Sequence, residues 1–265
     1  MKIIVASSKG GVGKSTVSMQ LITPYLYEKN NFEPINYYEC DDENQDLRSY
    51  GATELINRKQ VEVETPYLRD ELTSIFTSND TVCMDIGGNK TTSLVIKALD
   101  ESGAISFVDV CVIPLLDGEQ DGINASLVYA ELKSLNKDMT FIFVLNRVRN
   151  LKFIEYQFDN YFGDLRGIFS DVNSLVHYVS DDDIYQFVPM LDAEVIKYSR
   201  KFGLTAYEIA KQDRDFIKQI KNNPQEANVL SFKNYVGKGA KKYYEDSLLP
   251  AFKRIDEIIK EKGYK

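Results

Sequence analysis

The sequence contains a short glycine-rich stretch, flanked by lysines, with the residue types needed to bind the phosphates of a nucleotide. Residues 8–16 read S-K-G-G-V-G-K-S-T. Glycines let backbone N–H groups close around phosphate oxygens, and the first turn of a following helix adds its positive end. We expect Lys14 to reach the β- and γ-phosphates and the Ser15 hydroxyl to bind Mg²⁺. The predicted nucleotide-binding residues in this loop are Gly10, Gly11, Val12, Gly13, Lys14, Ser15 and Thr16.

Two further segments supply carboxylates of the kind that phosphoryl transfer uses. Residues 39–44 read E-C-D-D-E-N, residues 83–88 read C-M-D-I-G-G, and each segment follows an apolar run. A carboxylate that ends a buried strand beside a phosphate loop can orient a metal ion and its waters, which is the role we predict for Asp85. For the first segment a solvated acidic turn is the alternative.

These residues need a scaffold, and the apolar runs predict an α/β fold. Nearly continuous apolar or β-favouring segments alternate with helical patterns, as in a mostly parallel sheet with helices on both faces. The predicted strands are residues 2–6, 35–39, 81–85, 108–114, 140–145 and 175–179. Helices are predicted for residues 15–27, 93–100 and 125–135.

The phosphate loop departs from the general pattern, because Ser8 replaces the usual first glycine and Lys9 precedes the others. A loop of the form K-G-G-x-G-K-[ST] resembles the deviant Walker A motif of the ParA/MinD superfamily of P-loop ATPases. The resemblance covers residues 1–210 and implies ATP and Mg²⁺ as cofactors, with Ser15 and Asp85 as metal ligands. It also implies that Lys9 reaches the nucleotide of the partner subunit in an ATP-bound homodimer.

The same resemblance implies a carboxylate that positions the attacking water. The family's switch I segment, Asp-x-Asp-Pro-Gln, matches residues 39–43, and its second Asp falls on Asp41. Glu39 replaces the first Asp, and Asp42 and Glu43 replace Pro-Gln. The choice between Asp41 and Asp42 therefore stays open.

A base-binding residue is implied as well. Residues 141–147 read F-I-F-V-L-N-R and resemble the family's strand whose terminal Asn binds the adenine edge. Asn146 is therefore the predicted adenine-binding residue, although an Asn that only caps a strand fits the same pattern. Together with the loop, the resemblance predicts a catalytic set of Lys9, Lys14 and Asp41.

Charge is divided unevenly along the chain. The 32 Lys and Arg against 40 Asp and Glu give a net charge of −8, which argues against a protein that coats nucleic acid by its overall charge. Residues 197–265, however, carry a net charge of +7, and residues 1–196 carry −15. Either this basic region binds DNA phosphates non-specifically once two subunits pair, or it is a solvated helical surface. The predicted DNA contacts include Lys233, Lys238, Lys241, Lys242, Lys253 and Arg254.

We predict one domain over residues 1–265, with residues 211–265 as a helical C-terminal extension. Apolar residues at helical spacing in 247–262 form one face, which either packs on the domain or lies on a membrane surface. We favour packing, because this segment also contains acidic residues. The members of that face are Leu248, Phe252, Ile255 and Ile259.

Three dispersed cysteines, without a C-x-x-C pair, predict reduced thiols. The chain also lacks a signal-peptide pattern and any apolar run of about 20 residues that would span a bilayer. We therefore expect a cytoplasmic protein.

The leading functional interpretation is a ParA-like ATPase that dimerises on binding ATP–Mg²⁺ and hydrolyses ATP slowly. It would act in partition or maintenance of plasmid or mobile-element DNA, with a protein partner that stimulates hydrolysis. Alternatives are a MinD-like membrane-associated positioning ATPase, an accessory ATPase of conjugative transfer, and a metabolic or electron-transfer relative. The residues leave the cargo open.

Overall fold

The structure is a computed structural model that describes residues 1–40, 46–163, 174–212, 216–261 and 263. The strands are β1 (Lys2–Val5), β2 (Ile35–Cys40), β3 (Ile56–Gln60), β4 (Val82–Ile86), β5 (Val110–Leu115), β6 (Thr140–Val148) and β7 (Phe187–Leu191). The helices are α1 (Lys14–Val17), α2 (Thr23–Lys29), α3 (Leu68–Thr77), α4 (Lys90–Glu101), α5 (Glu119–Leu135), α6 (Ile154–Gln157), α7 (Asp159–Phe162), α8 (Glu194–Lys201), α9 (Ala206–Lys211), α10 (Phe216–Asn222), α11 (Ala227–Tyr243) and α12 (Leu249–Glu261).

The strands form one parallel sheet in the order β3-β2-β4-β1-β5-β6-β7. The inner strands β4 and β5 are buried throughout, as expected for strands of a sheet that is covered on both faces. This confirms the predicted α/β fold. Because β1 lies between β4 and β5, the carboxyl ends of β1 and β4 open at the same edge, where parallel α/β sheets bind ligands.

One predicted strand is wrong and two strands were missed. Residues 175–179 were predicted as a strand, but Leu175–His177 is a 3₁₀ turn. The two missed strands are β3 and β7, which lie at the edges of the sheet. Strand β3 reads I-N-R-K-Q and is largely exposed, so it lacks the apolar run of an inner strand. Strand β7 contains Pro189, which an edge strand tolerates.

Helices cover both faces of the sheet, each over its own apolar core. One core lies beneath α3, α4 and α5 and includes Phe76, Leu99 and Leu132. The other lies beneath the N-terminal helix and the C-terminal helices. The N-terminal helix runs from α1 through a π-helical turn, Ser18–Ile22, into α2.

The C-terminal helices are an integral layer of the second core. Phe252, Ile255 and Ile259 of α12 are buried there together with Ile142 and Val188 of the sheet. Leu248, just before α12, is also fully buried. The apolar face predicted from 247–262 therefore packs on the domain, so it is covered and does not form a free surface for a membrane.

Within the described residues, none of the helices has the length and apolar character needed to cross a bilayer. The three cysteines, Cys40, Cys83 and Cys111, are buried free thiols.

Candidate nucleotide site

The phosphate loop follows β1 and its backbone requires glycine. Gly11 and Gly13 have φ angles of +81° and +88°, which residues with a side chain rarely adopt. At Gly13 a Cβ would also lie 2.3 Å from Nδ2 of Asn146. Sequence and geometry thus agree on where the loop needs glycine.

Lys14 is buried and its ammonium group lies inside the curve of the loop. Its Nζ donates a hydrogen bond to the carbonyl oxygen of Lys9 at 3.2 Å. A Cβ built on Gly88 would lie 3.3 Å from the same Nζ, so the backbone that follows β4 passes close to the ammonium group. Lys14 and the segment after β4 therefore both border the phosphate loop.

That segment after β4 is attached to the phosphate loop by hydrogen bonds. The backbone N–H of Asn89 donates to the carbonyl of Ser8 at 2.8 Å, and Oγ1 of Thr92 donates to the carbonyl of Ser7 at 3.1 Å. Asn89 has a positive φ of 49°. A shift of the loop on ligand binding would therefore be felt by the residues after β4.

Asp85 is the penultimate residue of β4, lies beside the loop and is 4% exposed. Its Oδ2 accepts a hydrogen bond from the Tyr37 hydroxyl at 3.1 Å, whereas Oδ1 is buried without a hydrogen-bond partner among the described residues. Burial raises the pKa of this carboxyl to about 6. A hydrogen bond with Ser15 and the charge of Lys14 oppose that rise.

A buried carboxylate oxygen without a partner, close to a serine hydroxyl, fits a site for Mg²⁺ or a metal-bound water. Ser15 and Asp85 would hold the ion. The ion would supply positive charge at the phosphate oxygens. In the part of the chain that the structure describes, no group of three or more His, Cys, Asp or Glu could hold a metal by itself. That agrees with the usual mode for Mg²⁺, in which one or two protein ligands act together with nucleotide phosphates.

Glu39 lies next to Asp85 in the sheet, since the two are register partners on β2 and β4. The Glu39 carboxylate is buried and forms an ion pair with Arg58, with 3.0 Å between Oε2 and Nη2. Asp41 and Asp42, the alternatives for the water-positioning carboxylate, lie outside the described residues. That assignment therefore stays a prediction.

Asn146 contacts the underside of the phosphate loop. It is 2% exposed, and its Nδ2 donates to the carbonyl of Val12 at 3.0 Å. A β-bulge follows in β6, and Arg147 has a φ of 60°. The contact gives Asn146 a role in holding the loop, which the sequence did not suggest. Adenine binding by Asn146 stays a prediction.

The ammonium group of Lys9 lies 2.6 Å from Oδ1 of Asp121. Asp121 is in the first turn of α5, where the helix dipole favours a carboxylate, and a Cβ on Gly118 would come within 2.9 Å of its Oδ2. Sequence reasoning missed Asp121. The acidic first turn after the predicted strand 108–114 was the available signal.

Thr16 has a partner that the sequence did not suggest either. The Nη2 of Arg200, on α8, donates to Oγ1 of Thr16, although the two residues are 184 positions apart. Such a long-range contact between two polar side chains leaves no periodicity in the sequence.

The predicted DNA-binding lysines lie mainly on α11. Lys238, Lys241 and Lys242 are exposed and occupy one side of the helix. Lys233, Lys238 and Lys241 also line a depression of about 340 Å³ together with apolar residues. On α12, by contrast, Arg254 donates to the carbonyl of Tyr185 at 2.7 Å, so it holds the fold as well.

No protein-family model matches the chain, and neither does any curated protein. Among solved structures, apo McdA of Cyanothece is similar, with a TM-score of 0.48 and 11% identity over 91% of this chain and 98% of that one. A candidate plasmid partition protein of Borrelia burgdorferi B31, bound to AMPPNP, has a TM-score of 0.49 and 13% identity over 88% and 98%. A plasmid partition protein from Borrelia burgdorferi has a TM-score of 0.43 and 16% identity over 76% and 94%. The function proposed below is therefore argued from the residues of this chain and not from these structures.

Proposed function

We propose that the protein is an ATPase of the ParA/MinD type that binds ATP with Mg²⁺ in the loop after β1. The observation that carries this proposal is the convergence of Lys14 and Asp85 on one loop. Lys14 presents an ammonium group inside a glycine-rich turn, and Asp85 presents a buried, unpartnered oxygen beside Ser15. Phosphoryl transfer is catalysed mainly by positive charge and a metal site that are already in place before the substrate binds.

In this site each residue has a defined task. The loop amides and Lys14 bind the β- and γ-phosphates, and Asp85 and Ser15 orient the metal and its waters. Asp41, with Asp42 as the alternative, positions the attacking water. Because the segment after β4 is bonded to the loop, a γ-phosphate can set its position.

ATP binding is tested by titrating the protein with ATP in the presence of Mg²⁺ and following phosphate release. We expect micromolar or tighter binding and slow turnover, and Lys14→Ala should weaken the binding about 10- to 100-fold and lose the turnover. The exposed Lys97→Ala is the control, because it removes a lysine far from the loop. Wild-type protein that binds no ATP under these conditions would contradict the proposal.

We further propose that ATP drives formation of a homodimer in which Lys9 contacts the partner's nucleotide, and that this dimer binds DNA non-specifically through α11. The proposed process is partition or maintenance of a plasmid or similar element, with a protein partner that stimulates hydrolysis. Exposed lysines on one side of a helix suit a phosphate backbone, and pairing two subunits doubles their number.

DNA binding is tested by sedimentation with non-specific duplex DNA in ATP, in ADP and without nucleotide. We expect binding only with ATP, and weaker binding as salt rises. Lys241→Gln/Lys242→Gln should weaken it, whereas Lys97→Gln/Lys137→Gln removes the same charge from the acidic body and should not. Liposomes in a parallel assay test the membrane alternative, which the buried face of α12 disfavours.

A further inference from the structure

Arg200 joins the start of α1, at the end of the phosphate loop, to the 3₁₀ turn that ends at Tyr50. Its Nη2 donates to Oγ1 of Thr16 in α1, and its Nε donates to the hydroxyl of Tyr50 at 2.9 Å. The guanidinium also lies over the Tyr50 ring, 5.6 Å from its centroid. One planar group with fixed donor directions thus bonds both residues at once.

Tyr50 is itself held from several sides. It is 2% exposed, and its hydroxyl accepts a second hydrogen bond from Nε2 of Gln20 at 3.1 Å. Gln20 is fully buried, and its amide also bonds Oγ of Ser199 and the backbone N–H of Ala206. The Tyr50 hydroxyl therefore bonds both the N-terminal helix and α8, and Gln20 extends these contacts to the start of α9.

Tyr50 lies in the chain between the acidic segment after β2 and residues that are bonded to the C-terminal helices. Tyr50 ends the 3₁₀ turn Asp46–Tyr50, which follows the acidic segment after β2. The residues after Tyr50 are bonded to the same C-terminal helices. The N–H of Ala52 donates to the carbonyl of Gly203 at 3.0 Å, and Oγ1 of Thr53 donates to Glu208 at 2.9 Å.

We propose that Arg200 is a positioning residue for the nucleotide site, which fixes Thr16 relative to Tyr50 and so aligns the phosphate loop with the chain that follows the acidic segment. This rests on the proposed nucleotide binding at residues 8–16. Arg200 acts through Thr16 and Tyr50 and does not itself contact the phosphates. Among the described residues its partners are two hydroxyl groups, and no carboxylate forms an ion pair with it.

The test measures binding of a fluorescent N-methylanthraniloyl derivative of ATP, with Mg²⁺, to full-length variants. Arg200→Gln should weaken binding about tenfold, since it removes two charge-assisted hydrogen bonds that keep the loop in place. Arg200→Lys keeps the charge but cannot donate along both directions, so it should recover only part of the loss. Lys201→Gln, the next residue on α8, removes an equal charge from an exposed side chain and should bind as wild type does.

A double-mutant cycle separates positioning from general support of the fold. Tyr50→Phe keeps the buried ring and removes only the hydroxyl. We expect it to weaken binding about threefold in wild type and by clearly less in Arg200→Gln, because there the bond from Arg200 is already lost and only the bond from Gln20 remains. Melting curves without nucleotide show which variants are folded. If Arg200→Gln is unfolded, Arg200→Lys takes its place in the cycle.

The outcomes are distinguishable. Wild-type protein that binds the probe, together with Arg200→Gln within twofold of it or additive effects in the cycle, would overturn this inference alone. Arg200→Lys equal to wild type would mean that charge, not alignment, is what matters, and would also overturn it. A wild-type protein that does not bind the probe would contradict the proposed function, and this inference with it.

Discussion

Lys9 and Asp121 form an ion pair within one subunit, with 2.6 Å between Nζ and Oδ1. The two side chains differ in exposure, at 38% for Lys9 and 3% for Asp121. The proposed dimer requires the same ammonium group to reach the nucleotide of the partner subunit. Asp121 therefore competes with the partner's phosphates for Lys9.

Asp121→Asn should promote ATP-dependent dimerisation. The change keeps the shape of the side chain and removes its charge, so Lys9 is released at little steric cost. A partly exposed ion pair contributes about 1 kcal/mol or less, and the homodimer breaks one such pair in each subunit, which limits the gain to about 30-fold in the dimer dissociation constant. Analytical ultracentrifugation with Mg²⁺ and ATP measures this constant.

Asp117→Asn is the matched control for that experiment. Asp117 lies just before α5, close in sequence to Asp121, and forms an exposed ion pair with Arg149 instead of Lys9. A weaker dimer for Asp121→Asn than for Asp117→Asn would mean that Asp121 supports the dimer, and would contradict the competition proposed here.

The inner part of the fold and the loop were predictable because their physical causes are local. Gly11 and Gly13 are needed for a positive φ, and a buried parallel strand needs an unbroken apolar run, as in Val110–Leu115. The edge strands were not predictable in this way, since β3 is largely exposed with a single apolar residue, Ile56, and β7 has an internal proline. An edge strand needs fewer apolar residues and fewer backbone donors than an inner one.

The pairings around the site could not be predicted for a different reason. Arg200 meets Thr16 and Asp121 meets Lys9 only after the sheet has ordered β1, β5 and the C-terminal helices. Each pair is a contact between residues more than 100 positions apart, and nothing in the local sequence of either member encodes it. The loop motif predicts which residues bind phosphate, but it does not predict what holds them.

The two lysines of the loop should separate binding from catalysis. Lys14→Ala should weaken ATP binding about 10- to 100-fold, because its buried ammonium group is lost from the phosphate site. Lys9→Ala should bind ATP within about threefold of wild type but lose hydrolysis by about 100-fold or more, since a charge supplied in trans acts mainly in the transition state. Equilibrium binding and phosphate release are measured on both variants. Near-normal turnover by Lys9→Ala would contradict a role for this lysine in trans.

Asp85 should make the metal-free protein less stable as pH rises. Its folded pKa of about 6 lies above the ordinary value of 3.8, so the folded state holds the proton more tightly than the unfolded state. The stabilisation is complete below about pH 4 and is lost as pH rises to about 6, by roughly 2–3 kcal/mol. Asp85→Asn removes this loss, so above pH 6 it should be more stable than wild type.

Urea unfolding in a chelator, between pH 4 and pH 8, measures that difference. Asp100→Asn, which changes an exposed carboxylate at the end of α4, is the control and should follow wild type at every pH. A constant difference between Asp85→Asn and wild type over this range would show that the Asp85 carboxyl does not titrate near pH 6.

Asn146 offers a test between holding the loop and binding the base. Asn146→Ala removes the hydrogen bond to the Val12 carbonyl, which leaves a polar group without its partner and should cost about 1–3 kcal/mol in the free energy of unfolding. If Asn146 acts only on the loop, the affinities for ATP and GTP fall by the same factor. If it also binds the adenine edge, ATP binding falls more, and discrimination against GTP is lost. Competition of both nucleotides against a fluorescent ATP derivative measures the two factors in one experiment. Unchanged unfolding and unchanged affinity for both would contradict each role, because the amide would then support neither the loop nor the base.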